Sequence, residues 1–217
     1  MSRFPRSSTL KLVFPAGQTI ALAILILILL VVALEALVRL PWVDQHVPTA
    51  IGSAHEELDI KFGEADYLLR QRGRIDCIFI GSSVVRRGID PGEVAAAYRA
   101  QTGEEIVCYN FGLSGLQSLS LARLAPIIVK RYHPRLLIYG ISLRDLGLRD
   151  DTQAESRAIA NTAWIQYQSG DFSLEGWAVE HLVTFRHFLA LRNWPKHAFR
   201  NPIRDLNDPL RTGFVPV

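Results

Sequence analysis

From Ile20 to Leu34 every side chain is alanine, valine, isoleucine or leucine, and no charge occurs between Gln18 and Leu34. So apolar a run excludes most ways of folding in water, because no polar face is left to meet solvent. Continued through Glu35 and Arg39 to Leu40, it approaches the ~20 residues of helix that cross a bilayer. Pro41 then stops the helix, and Trp42 is placed for the interface. The reading is a transmembrane helix over 18–40. A cleaved signal peptide is the alternative, since the run is short and follows Arg3, Arg6 and Lys11. Against it, no small-x-small cleavage site follows. The leader, 1–17, is basic without acidic residues, so the positive-inside tendency keeps it cytoplasmic. Val43 onward is then extracytoplasmic, on the far side of the cytoplasmic (inner) membrane, and the bilayer is a partner of residues 18–40.

With 217 residues, the remainder suffices for one good-sized domain. The net charge of +3 is carried by Lys and Arg scattered singly or in pairs. Such scatter lacks the dense clusters that follow a phosphate backbone, which argues against a nucleic-acid partner. Two cysteines, Cys77 and Cys108, form no disulfide framework and no zinc spacing. In the connector, 41–73, residues 54–70 read as a helix with Glu56 and Glu57 near its start and Arg70 near its end, which suits the helix dipole. His46, His55, Glu56 and Glu57 match no metal motif and read as solvated surface. No metal site and no cofactor are expected.

From Ile75 the pattern becomes βαβαβ, and 74–150 forms the core. The apolar run Ile75–Ile80 ends in Gly81-Ser82-Ser83. Asp90-Pro91-Gly92-Glu93 then opens a helix to about Thr102, with an N-cap, a proline at the first position and a glutamate at the third. A second strand, Glu105–Asn110, leads to Phe111-Gly112-Leu113-Ser114-Gly115. A helix over 118–132, interrupted or bent near Pro126, precedes a third strand, Arg135–Ile141, which runs into Ser142-Leu143-Arg144-Asp145. Alternating strands and helices predict a parallel sheet with right-handed crossovers. Ligands of open α/β sheets bind beyond the carboxyl ends of the strands, here 81–83, 112–115 and 142–145. No P-loop or GxGxxG is present.

Gly81-Ser82-Ser83, Asn110-Phe-Gly-Leu-Ser-Gly115, Leu121-Ala-Arg-Leu-Ala-Pro126 and a strand ending near Arg144-Asp145 together resemble the SGNH (GDSL-type) hydrolases over about 75–148. The resemblance implies a flavodoxin-like α/β/α domain acting as an esterase, lipase, thioesterase or acetyl transferase, with an envelope lipid or glycan ester as substrate. It places Ser83 at the nucleophile, Ser82 at the preceding Asp, and Gly115 with the Ser83 N–H in the oxyanion hole. Arg144 stands where an Asn normally donates. Ser82, Arg86, Asn110, Ser114 and Asp145 are the accompanying candidate binding residues, although Arg86 and Arg87 also read as a solvated pair.

The family's Asp-x-x-His occurs nowhere in the chain. Without that base a serine hydroxyl is a poor nucleophile. His181, His187 and His197 fall in one amphipathic stretch, Leu174–Phe199, and read as surface or core groups. Residues 151–217 offer helices and a loop tail but no clear buried strand, so the sheet is expected to be incomplete. The chain then reads as a fragment of a longer protein, favoured by its ending in an interrupted loop, or as a shortened relative. Two functions follow: an anchored hydrolase or acyl transferase working through Ser83, or a non-catalytic binding domain, an accessory subunit of a membrane complex. Cys77 and Cys108 precede Gly81 and Gly112 by equal distances, which makes them neighbours on adjacent strands. Both a disulfide and two buried thiols are compatible with that placement, and the thiols are the expectation.

Overall fold

The computed structural model describes residues 16–47, 49–53, 55–146, 150–197 and 213. The leader's basic residues and the prolines of the tail beyond 197 lie outside that set. Helix α1 (Ala16–Val38) is followed by α2 (Pro41–His46) and α3 (Glu56–Arg72). The core then runs β1 (Cys77–Gly81), α4 (Ser83–Gly88), α5 (Pro91–Thr102), β2 (Cys108–Gly112), α6 (Ser118–Tyr132) and β3 (Leu136–Gly140). A 3-10 turn at Leu143–Leu146 precedes α7 (Asp150–Ala160), α8 (Ala163–Gln168), α9 (Leu174–His181) and α10 (Val183–His197).

The fold is α/β, with a three-stranded sheet of order β2-β1-β3 among the described residues. Both pairings are parallel and in register, with Cys77 opposite Cys108 and Leu136, and Gly81 opposite Gly112 and Gly140. Alternation along each strand sorts side chains onto two faces. Ile78, Ile80, Tyr109 and Phe111 point to one face, where α3, α6, α7 and α8 bring Leu58, Phe62, Leu124, Ile128, Ile159 and Trp164. The other face is thinner: Cys77, Phe79 and Cys108 meet Val85 of α4. Here the sulfurs of Cys77 and Cys108 are joined in a disulfide across a Cα separation of 4.6 Å. The expectation of two thiols is corrected, since parallel register brings the two Cβ atoms within bridging reach.

Three further expectations are corrected. The second strand is Cys108–Gly112 instead of 105–110, because Val107 and Asp76 form the first cross-strand bonds and pairing runs forward from there. Helix α6 is continuous through Pro126. The stretch 174–199 is two helices broken at Leu182, which adopts an extended conformation. Helix α1, whose most apolar 18-residue window within 17–38 has mean hydropathy 3.2 and is not buried, is long and apolar enough to cross a membrane.

Candidate functional site

The carboxyl end of the sheet is closed by a row of glycines, Gly112-Gly81-Gly140, set side by side by the register. Their missing Cβ atoms let α4 lie directly across the strand ends. A methyl on Gly112 would come within 2.6 Å of Arg86 Cα, and one on Gly81 within 2.6 Å of the Gly140 carbonyl, while Val85 packs over Gly81 and Gly140. Helix α4 begins at Ser83 and is locked at its other end by Asn110. The buried Asn110 Nδ2 donates to the carbonyls of Val85 (2.8 Å) and Ile89 (2.7 Å), and its Oδ1 accepts the Gly112 N–H (2.8 Å). The amide thus adds a second donor to the Val85 carbonyl, which also accepts the Ile89 N–H, and supplies one to the Ile89 carbonyl just past the helix end. Asn110, expected among the ligand-binding residues, is spent inside the fold.

Ser82 occupies the N-cap of α4 but does not cap it. Its hydroxyl turns to Asp145 Oδ2 (3.4 Å), which also accepts the Ser142 N–H (2.8 Å). Asp145 therefore ties the exit of β3 to the exit of β1 and is itself buried. Ser83, the first residue of α4, is half-buried, and among the described residues nothing is hydrogen-bonded to its hydroxyl. Arg144 lies on the 3-10 turn, and its side chain is outside the described set.

The loop after β2 turns at Gly115, whose φ of +71° is the left-handed conformation that suits glycine. Two carboxylates rest on this loop. Glu57 of α3 accepts the Ser114 N–H (2.9 Å) and hydroxyl (3.2 Å) and forms an ion pair with Arg86. Glu155 of α7 packs so closely on Gly115 that a Cβ there would overlap its side chain. Glu155 Oε1 also meets His55 Nε2 at 2.9 Å, while His55 Nδ1 is buried without a hydrogen-bond partner. Burial pushes the Glu57 carboxyl up, but the Ser114 N–H, the Arg86 charge, the Ser114 hydroxyl and His55 outweigh it and hold the group below the usual carboxylate range.

Of the sequence candidates, the fold gathers Ser82 with Asp145, and Arg86 with Ser114. Arg86 is a bridge between α4, α3 and the β2 loop, where the sequence offered a solvated pair or a ligand contact. His55 and Glu57, read as solvated surface, are turned inward with side chains only 14% and 22% exposed. Glu155 was missed altogether, since no motif marks a lone glutamate in a polar helix. No group of three or more His, Cys, Asp or Glu able to hold a metal occurs among the described residues. No protein-family model matches the chain, and neither the curated proteins nor the solved structures contain a match.

Proposed function

We propose that the chain is a single-pass membrane protein with an extracytoplasmic domain of SGNH-like ancestry, whose strand-end site binds or stabilises without hydrolysing esters. The observation that carries the reading is the pair of carboxylates on the Ser114-Gly115 loop. In an acyl-transfer site that loop would offer N–H groups to a developing oxyanion. Here the Ser114 N–H already holds the anionic Glu57, with Glu155 against the next residue. The Ser114 N–H is therefore already committed and not free to take a developing oxyanion. Ancestry is supported by the strand order β2-β1-β3, which opens the flavodoxin-like order, and by Ser83 and Gly115 following the first and second strands. The extracytoplasmic placement is supported by the disulfide, a bond of oxidising compartments, in a domain that follows an apolar helix with a basic leader. Such a domain serves as an accessory subunit of a membrane complex.

The second reading, a working hydrolase or acyl transferase on an envelope ester, is favoured by one observation: the Ser83 hydroxyl is unpartnered among the described residues and sits at the carboxyl edge of the sheet. A fluorophosphonate probe separates the two. Applied to the full chain in detergent, it should label the protein no more than the Ser83→Ala variant. Labelling that disappears with Ser83→Ala establishes the hydrolase instead.

A further inference from the structure

Near the carboxyl end of its apolar helix the chain carries an acid, Glu35, and every oxygen of that acid is used. Oε1 accepts the Val183 N–H (2.8 Å) and Arg39 Nε (3.0 Å), and Oε2 accepts the Thr184 N–H (3.0 Å) and hydroxyl (2.7 Å). Arg39 reaches on to the His181 carbonyl (3.1 Å). A carboxylate at the edge of a bilayer is costly unless paired. This one is paired with the N-terminus of α10, whose free N–H groups and positive dipole end need an anion.

That contact fixes a direction. First-turn N–H groups point back along their own helix axis, and these point at a carboxylate that projects sideways from α1. Helix α10 therefore starts against α1, with its N-terminal end turned to the Glu35 carboxylate. Its inner side is taken by the domain: His187 and Leu189 are buried, and the Ala50 N–H donates to the Arg186 carbonyl (3.2 Å). On the other side Thr184, Phe188 and Leu191 fall within about 60° of the helix circumference, as the 3.6-residue turn dictates. Thr184 touches Glu35, so the stripe starts at α1. Phe188 and Leu191 continue it with 52% and 56% of their surface in the open, and the Arg192 guanidinium lies 5.9 Å from the Phe188 ring. Trp42, just past α1, is also exposed.

We infer that α10 is an interfacial helix lying on the bilayer surface, clamped there by Glu35 and Arg39, with Phe188 and Leu191 against lipid. The inference rests on α1 spanning the membrane. Given that, the stripe is continuous with the lipid-facing surface of α1. Aromatic and aliphatic residues beside an arginine are also what a helix at the headgroup boundary presents.

The test places single cysteines by Phe188→Cys, Leu191→Cys, Val31→Cys and Gln101→Cys in the full chain. Each carries an environment-sensitive maleimide dye in phosphatidylcholine–phosphatidylglycerol vesicles. The native cysteines are joined to each other and do not compete. At 188 and 191 the dye should shift to the blue and lose emission to lipids spin-labelled near the headgroup. At 31 it should respond most to deep spin labels, and at 101 to neither. Dyes at 188 and 191 as aqueous as at 101, with 31 deep, overturn the interfacial helix and leave the anchor standing. An aqueous dye at 31 overturns both. Adding Glu35→Ala should release the 188 dye from quenching while 31 stays deep; undiminished quenching at 188 removes the clamp.

Discussion

Glu57 and Asp59 stand two positions apart on α3 and titrate in opposite senses. Asp59 is pushed up to about 7 by burial and by the neighbouring Glu56, against the stabilising Ile51 N–H (2.9 Å) and Ser53 hydroxyl (3.2 Å). Its folded pKa lies above its unfolded value, so the folded state holds a proton that the unfolded chain has lost. Stability should therefore fall as pH rises from about 4 to about 7 and level off above, within the window set by the two pKa values. Asp59→Asn should flatten that slope in urea unfolding midpoints recorded across the interval. For Glu57 the folded pKa is depressed, so its contribution is present above the ordinary carboxylate range and disappears as pH drops through the folded value. Glu57→Gln should cost stability at neutral pH and lessen the loss in acid. Asn110 makes a different demand. Asn110→Ala leaves the buried Gly112 N–H without its acceptor and takes the Asn110 donor from the Ile89 carbonyl, at a cost of about 1–3 kcal/mol by chemical denaturation. Probe binding at Ser83 is not the appropriate readout for that variant, because its first effect is on the seat of α4.

At the scale of elements, the glycine row decides how closely α4 approaches the sheet. Gly112→Ala drives a methyl into the Arg86 backbone, which cannot rotate away, and should cost about 3 kcal/mol or more as a fall in unfolding midpoint. The alternation of strands and helices, the Asp90 cap and the strand-end position of Ser83 were legible in the sequence, because each is written in local periodicity or a local motif. Asp90 accepts the Gly92 N–H at 2.7 Å, as its place before Pro91 implied. What escaped is set by distant partners. Helix α4 is a six-residue segment with two adjacent valines, a poor helix former by itself, held by Asn110 from the next strand. The break at Leu182 is made by Glu35, 148 positions before Val183, so no reading of 174–199 in isolation reveals it. The same holds for the site: Glu57 and Glu155 come to the β2 loop from α3 and α7, outside the β1–β3 stretch.

For the whole molecule, the disulfide lies on the more thinly covered face of the sheet. One face is covered by α3, α6, α7 and α8, whereas on the face bearing Cys77 and Cys108 the buried cluster is those two residues, Phe79 and Val85 of α4. The bridge joins positions 31 apart, a loop whose closure is worth about 3.7 kcal/mol in the chain-entropy account. The double variant Cys77→Ala with Cys108→Ala should lose about that much in unfolding free energy. The equal spacing of the two cysteines before Gly81 and Gly112 was visible in the sequence, but their oxidation depends on the compartment, which follows from the orientation proposed for α1. The two features can therefore be tested together. Protein taken from its native membrane, unfolded without reductant and exposed to a maleimide, should react at neither cysteine. After reduction it should react at both. Two thiols reactive before reduction would place the domain in a reducing compartment and overturn the orientation proposed for α1.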